Sequence, residues 1–168
     1  MKPLLYVDGY NIIGAWGKAT REQWSIDKSR DQLAHLLADY AGYTDQEVWL
    51  VFDGYMSTRT QRSVDKLAGL TIVFTKQNET ADQYIERQCH EMPKYRTARV
   101  ATSDATEQTV ILGRGATRVS ARELLAELES ERQKGYQPHH PKKTANSAFA
   151  NALSPEQYAI LEALRRQK

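Results

Sequence analysis

The sequence contains a single cysteine, Cys89, and no long apolar run. One cysteine excludes an internal disulfide and any zinc site built from several thiolates, so we expect Cys89 to fill space in the core. No segment reaches the roughly 20 apolar residues that a membrane span needs. The amino terminus, MKPLLYVDGYNIIGAW, also lacks the apolar run and cleavage site of a signal peptide. These absences predict a cytoplasmic protein with no membrane partner.

A strong charge of one sign is missing as well, since 23 Lys and Arg against 21 Asp and Glu leave a net charge of +2. No overall basic field therefore indicates nucleic-acid binding, and such binding would need a local basic patch. The 168 residues, 40% of them hydrophobic, are enough for one domain with a packed core.

Five short apolar runs predict buried strands. They alternate little between apolar and polar residues, and helical patterns separate them, which is typical of a parallel sheet covered on both faces. We therefore predict a doubly wound α/β sandwich. The runs cover residues 4–7, 48–52, 70–74, 99–102 and 117–119.

Helix signals fall between these runs. Apolar residues recur at helical spacing from Ile26 to Tyr40, and Gly42 is expected to end that helix. Capping boxes, in which two side chains satisfy free amide N–H groups, predict three further helix starts. The segments 54–66 and 136–153 are predicted to be loops. The capping boxes begin at Thr80, Ser120 and Ser154.

Aspartates follow three of the predicted strands, at Asp8, Asp53 and Asp104. The carboxyl ends of parallel strands share one edge of a sheet, where ligands bind, and Asp82 in the first turn of the next helix would join them. Clustered carboxylates repel one another unless a cation holds them, and oxygen donors alone favour Mg²⁺ or Mn²⁺ over zinc. The alternative is structural, because Asp-Gly pairs form turns and Asp104 could cap a helix.

Five stretches of the sequence resemble, in content and order, the NYN-domain ribonucleases of the YacP type, a branch of the PIN-like nuclease superfamily. The resemblance implies a PIN-like three-layer sandwich with a mainly parallel sheet of order 3-2-1-4-5. We assign residues 1–135 to this nuclease domain and 136–168 to a loop and a C-terminal helix. The stretches are VDGYNIIGAW, VFDGYMS, TADQYIER, VATSDATEQ and GRGATRVSARELLAEL.

The resemblance also implies an activity, namely metal-dependent endonucleolytic cleavage of single-stranded RNA. Messenger RNA in a ribosome-associated context is the implied substrate, with no small-molecule cofactor. By the same resemblance, Asp8, Asp82 and Asp104 become metal ligands, Asp53 a further acid, and Asn11 a residue that positions substrate or water.

An RNase without overall positive charge needs a local basic surface, because phosphate contacts dominate affinity. Four basic residues near the predicted strand ends offer one, although a solvated charged loop is an equal alternative. Tyr10 could stack on a base or pack in the core. Ser103 could hold a phosphate or orient Asp104. The four basic residues are Arg59, Arg62, Lys66 and Lys76.

Two other classes of protein remain open from the residues. A phospho-acceptor receiver domain would use Asp53, but the adjacent pair of acids that it needs after its first strand is missing. A non-catalytic RNA- or ribosome-binding module could retain the same fold. The acids argue against such a module, because a negative pocket repels phosphates.

Overall fold

The computed structural model describes residues 2–54, 58–102 and 115–135. Within them lies a six-stranded sheet of order β3-β4-β2-β1-β5-β6. All neighbouring strands pair in parallel except β3, which is antiparallel to β4. The strands are β1 (Leu4–Asp8), β2 (Glu47–Phe52), β3 (Ser63–Leu67), β4 (Leu70–Phe74), β5 (Ala98–Ala101) and β6 (Ala116–Val119).

The five predicted strands correspond to β1, β2, β4, β5 and β6, and they stand in the predicted order 3-2-1-4-5. One expectation is wrong: the segment 54–66 is not all loop, because β3 begins within it. Ala68 and Gly69, both with positive φ (45° and 90°), join β3 to β4 in a two-residue turn. This backbone matches the twist of a tight hairpin.

In the described ranges, five helices accompany the sheet and two of the predicted capping boxes are present. Thr80 N–H donates to Gln83 Oε1 at 3.0 Å while Gln83 N–H donates to Thr80 Oγ1 at 3.1 Å. Ser120 and Glu123 repeat the arrangement. The helices are α1 (Gly9–Ala15), α2 (Gly17–Arg21), α3 (Ile26–Thr44), α4 (Ala81–Glu91) and α5 (Ala121–Gly135).

Helix α3 continues past Gly42, where the sequence predicted its end. It stops at Thr44, and Asp45 takes the left-handed conformation (φ 53°). A left-handed residue closes many helices, and aspartate is one of the few residue types besides glycine that tolerates it. The correction is therefore a shift of the helix end by two residues.

The helices cover both faces of the sheet, which confirms the predicted sandwich. Helices α1, α3 and α5 pack together on the face that includes Leu5 and Val7. Helix α4 packs on the opposite face, where Tyr84 and Ile85 meet the other β1 side chains. Cys89 of α4 is 3% exposed, as expected of a core residue. Among the described residues, no helix is long and apolar enough to cross a membrane.

The start of α1 lies against β2 because residue 9 has no side chain. A Cβ on Gly9 would come within 2.4 Å of the Phe52 ring. Glycine therefore lets the chain turn from β1 directly into α1. This close approach sets the position of Asp8, the residue between the strand and the helix.

Candidate active site

Asp8 lies at the carboxyl end of β1, where it caps α1 and is only 5% exposed. Asn11 holds its carboxylate twice, through the backbone N–H to Oδ1 (3.4 Å) and through Nδ2 to Oδ2 (2.9 Å). The same Nδ2 donates to Thr102 Oγ1 at 3.2 Å. Because β5 pairs with β1, Thr102 emerges beside Asp8, and Asn11 joins the ends of both strands.

Asp8 has acidic neighbours. The pKa of Asp8 is raised to about 7, mainly by burial and then by the negative charge of Asp82, with a smaller contribution from Asp53. The Asp8 and Asp82 side chains are therefore close neighbours. In the part of the chain that is described, no ion pair involves either residue. The structure thus brings together three predicted acids, and neither Asp8 nor Asp82 has a lysine or arginine partner among the described ion pairs.

Thr75, which follows β4, links the loop that bears Asp53 to the loop that leads into α4, the helix that bears Asp82. Its hydroxyl accepts from Gly54 N–H at 2.6 Å and donates to the Glu79 carbonyl at 2.8 Å, and the side chain is fully buried. Thr75 is not among the site residues predicted from the sequence. The sequence does contain a signal for this residue, because Thr75 directly follows an apolar strand just as Asp53 does.

Glu79 anchors the loop between β4 and α4. Its carboxylate accepts from Arg62 Nε at 2.6 Å and from Arg87 Nη2 at 2.8 Å, although the side chain is only 5% exposed. The Arg62 hydrogen bond is the main reason that the pKa of Glu79 falls to about 2, with Arg87 adding to it. The Arg62 guanidinium also lies 5.5 Å from the centre of the Tyr84 ring. Arg62, predicted to contact RNA, is therefore part of an ion-pair network inside the protein.

The other predicted basic residues are spread along the sheet. Arg59 lies at the carboxyl edge, with its guanidinium 4.9 Å from the centre of the Phe74 ring, and exposed Lys76 follows β4 at the same edge. Lys66 is in β3 opposite Thr71, near the other end of the strands. The predicted basic patch is thus divided, and Arg59 and Lys76 are the members near the acids.

Tyr10 packs against the core. Its ring centre is 5.1 Å from that of Phe52, and its hydroxyl accepts from Arg30 Nη1 at 3.2 Å. These contacts give the aromatic side chain of Tyr10 a structural role. A stacking role toward RNA stays a prediction.

The remaining predicted residues, Ser103 and Asp104, lie outside the described residues, as does the segment 136–168. Within residues 2–54, 58–102 and 115–135, no group of three or more His, Cys, Asp or Glu is arranged to hold a metal ion. Two of the three predicted ligands, Asp8 and Asp82, are described. Their donors are carboxylate oxygens, which suit a hard divalent cation such as Mg²⁺ or Mn²⁺.

The structure is an α/β sandwich in which a buried aspartate, Asp8, ends β1 beside two half-buried acids, Asp53 and Asp82. The chain belongs to the family described as the YacP-like NYN domain, whose model matches residues 5–166. This membership confirms the resemblance seen in the sequence motifs.

Individual relatives agree with the family match. The chain is 38% identical over 165 residues to a Bacillus subtilis (strain 168) protein named "Uncharacterized protein YacP", covering 97% of this chain and 96% of that protein. A crystal structure of Rae1 (YacP) from Bacillus subtilis matches with a TM-score of 0.68 and 37% identity, over 99% of this chain and 95% of that one. A structure of a tryptophan-to-leucine mutant of Rae1 also gives 0.68, with 34% identity over 96% and 98% of the two chains. The chain therefore belongs to a nuclease-like family associated with RNA.

Proposed function

We propose that this protein is a metal-dependent endoribonuclease that hydrolyses phosphodiester bonds in single-stranded RNA, with Asp8 and Asp82 at its centre. The observation that carries the proposal is the buried Asp8 carboxyl beside the acidic side chain of Asp82, with no cationic side chain among the described residues in an ion pair with Asp8.

Such a pair is unfavourable for the fold by itself. Burial and a neighbouring negative charge both disfavour an ionised carboxylate. The chain can stabilise a buried carboxylate, as the two arginines at Glu79 show, yet none of the described basic residues forms an ion pair with Asp8. An acidic pair of this kind is suited to a cationic ligand and argues against a module that only binds phosphates.

Asp8 and Asp82 would hold Mg²⁺ or Mn²⁺, together with Asp104 according to the family resemblance. When bound, the cation would polarise the phosphate and lower the pKa of a water molecule. The residues of the chain have separate tasks. Asn11 fixes the orientation of the Asp8 carboxylate, and Asp53 adds negative charge beside it.

The RNA would approach along the carboxyl edge of the sheet. Arg59 and Lys76 lie at that edge and could contact its phosphates, which position a nucleic acid without reading its sequence. The family resemblance extends the proposal to messenger RNA in a ribosome-associated, cytoplasmic setting. Co-sedimentation of the full chain with ribosomes tests that extension, and a chain that stays in the supernatant would contradict it.

The central test compares the Asp8→Asn and Asp82→Asn variants with the wild type on a labelled single-stranded RNA, with Mg²⁺ or Mn²⁺ and with EDTA. We expect EDTA to abolish cleavage and each variant to lose it by on the order of 100-fold or more. Asp45→Asn is the matched control, because Asp45 is exposed and asparagine also tolerates its left-handed backbone.

Wild-type cleavage rates in both variants, or cleavage that persists in EDTA, would contradict the proposal. Binding of RNA without any cleavage would instead favour a non-catalytic RNA-binding module. Circular dichroism of the variants checks that a loss of activity does not come from unfolding.

A further inference from the structure

A groove with a volume of about 630 Å³ lies between α3 and α5, on the sheet face that carries α1. Successive turns of both helices line the groove. On α5 the lining positions run from Arg122 through Leu125 to Arg132, and on α3 they include Leu36 and Asp39. This α3–α5 groove is lined by charged side chains together with apolar ones such as Leu36 and Leu125.

The rim carries more positive than negative charge. Four cationic side chains line it, against the two carboxylates of Asp39 and Glu129. In the described part of the chain, no ion pair involves three of the four, Lys18, Arg21 and Arg122. The fourth cation is Arg132. The groove is therefore a local basic surface on a protein whose net charge is only +2.

Two indoles accompany these cations. Trp16 and Trp24 meet edge to face with ring centres 5.2 Å apart. Lys18 Nζ and Lys28 Nζ lie 5.8 and 5.2 Å from the centre of the Trp24 ring. The Trp24 Nε1–H is buried and has no hydrogen-bond acceptor among the described residues. Aromatic rings interspersed with cations are typical of surfaces that bind single-stranded nucleic acid.

The groove begins at the edge of the sheet that carries the acids. Arg122 is in the first turn of α5, directly after β6, and β6 pairs with β5, whose next residue is Thr102. Arg132 lies ten residues further along the helix, about 15 Å away at the rise of an α-helix. The basic surface therefore extends from the active-site edge toward the opposite edge.

We infer that the α3–α5 groove binds a stretch of single-stranded RNA adjacent to the cleaved phosphodiester. The nature of the ligand rests on the proposed function, whereas the location rests on the excess of cations, the paired indoles and the continuity with the acidic edge. A partner bound by apolar contact alone would supply no counter-charges for Lys18, Arg21 and Arg122, which form no ion pair among the described residues.

The test is an Arg122→Glu/Arg132→Glu double variant of the full chain, with fluorescence anisotropy of a labelled single-stranded RNA in EDTA at several salt concentrations. We expect the affinity for RNA to fall about tenfold or more. The slope of log K against log salt concentration should also become shallower, by the equivalent of about one or two phosphate contacts. Arg122→Gln/Arg132→Gln should show a smaller loss in the same direction. Lys2→Glu/Lys94→Glu, with the same change of charge on exposed residues elsewhere, should stay within about twofold.

RNA affinity and salt dependence equal to those of the wild type in the groove variant would overturn the inference. Wild-type affinity together with a lowered melting temperature would also overturn the inference. That result would mean that the two arginines contact another part of the protein, which covers the groove, and do not contact RNA. Cleavage assays separate the two proposals. Groove-dependent binding without any cleavage leaves this inference standing and removes the proposed function, and cleavage with no effect of the groove variant does the reverse.

Discussion

Asp8 and Glu79 are two buried carboxyl groups with opposite surroundings. Their exposed fractions are almost equal, at 5% and 4%. Glu79 accepts hydrogen bonds from two arginines, and its pKa falls to about 2. Asp8 has no arginine or lysine partner among the described ion pairs, so burial, with the charge of Asp82 adding to it, raises its pKa to about 7. At a similar exposed fraction, hydrogen bonds from arginine outweigh the effect of burial at Glu79, whereas no described contact outweighs it at Asp8.

The two groups are connected through the backbone that carries Asp82. Glu79 lies immediately before the helix cap at Thr80, and Asp82 is in the first turn of that helix. The stabilised carboxylate therefore anchors the segment that places a negative charge beside Asp8. Stability in one region supports an unfavourable arrangement in the other, which is a common feature of active sites.

The largest effect on stability is expected when Glu79, the stabilised carboxylate of the two, is replaced. Glu79→Gln removes the negative charge between Arg62 and Arg87 and leaves two guanidinium groups without a counter-charge. We expect the free energy of unfolding to fall by about 3 kcal/mol at pH 7. This loss is at the lower end of the range for breaking a buried ion pair, because the arginines are partly exposed. Urea denaturation measures the loss, with exposed Glu86→Gln as the matched control.

The same variant has a defined pH signature. The pKa of Glu79 in the folded chain, about 2, lies below its ordinary value of 4.5, so the stabilisation is complete above pH 4.5 and disappears as the pH falls toward 2. The difference in stability between wild type and Glu79→Gln should therefore shrink on acidification. A difference that does not change between pH 6 and pH 3 would contradict the role of Glu79.

The second effect has the opposite sign. Asp8→Asn removes a group that is destabilised when ionised, so in EDTA the variant should be more stable than the wild type at pH 8. Because the folded pKa, about 7, exceeds the ordinary 3.8, the stability that Asp8 contributes falls as the pH rises through that window. We expect the advantage of the variant to grow by about 2 kcal/mol between pH 5 and pH 8.

Thermal or urea unfolding at both pH values measures this difference, and Asp45→Asn controls for the loss of one acid. An Asp8→Asn chain that is less stable than the wild type at pH 8 would mean that Asp8 is a structural residue. In that case the contrast with Glu79 would fail, and with it the main support for the proposed function.

The fold follows from the sequence wherever a segment is uniformly buried. Strands β1 and β4 are near-continuous apolar runs because both of their faces are covered, and all five predicted strands agree with the structure within one residue at each end. Strand β3 was missed because it lies at the sheet edge and mixes polar residues such as Asp65 and Lys66 with apolar ones. Its connecting turn, Ala68-Gly69, is also a weak hairpin signal beside Asn-Gly or Asp-Gly.

The same distinction applies to the candidate site, where residues given by local patterns were predictable and residues brought together by tertiary packing were not. Asp8 and Asp82 were predictable because strand ends and helix starts follow from local patterns, and parallel pairing brings them to one edge. The arginine partners of Glu79 were not, since Arg62 and Glu79 are 17 residues apart and no local pattern shows that they meet. Arg62 therefore resembled a surface residue available to RNA, and only tertiary packing shows its ion pair.

The smallest effect distinguishes the two arginines of the Glu79 network. Arg62 donates to both carboxylate oxygens of Glu79, through Nε and Nη2, whereas Arg87 donates to one through Nη2. Lysine keeps the positive charge but cannot form the two-pronged contact. We expect Arg62→Lys to lower the free energy of unfolding by about 1 kcal/mol and the more exposed Arg87→Lys by about 0.5 kcal/mol or less.

Each substitution is also made in the Glu79→Gln background, where the carboxylate that both arginines contact is absent. If the geometry of the ion pair is the cause, the difference between Arg62→Lys and Arg87→Lys should shrink in that background, as a double-mutant cycle measures. An unchanged difference would assign the effect of Arg62 to its contact with the Tyr84 ring instead. Glu79 would then be stabilised by positive charge alone, and its contrast with Asp8 would depend on the number of arginines and not on their hydrogen bonds.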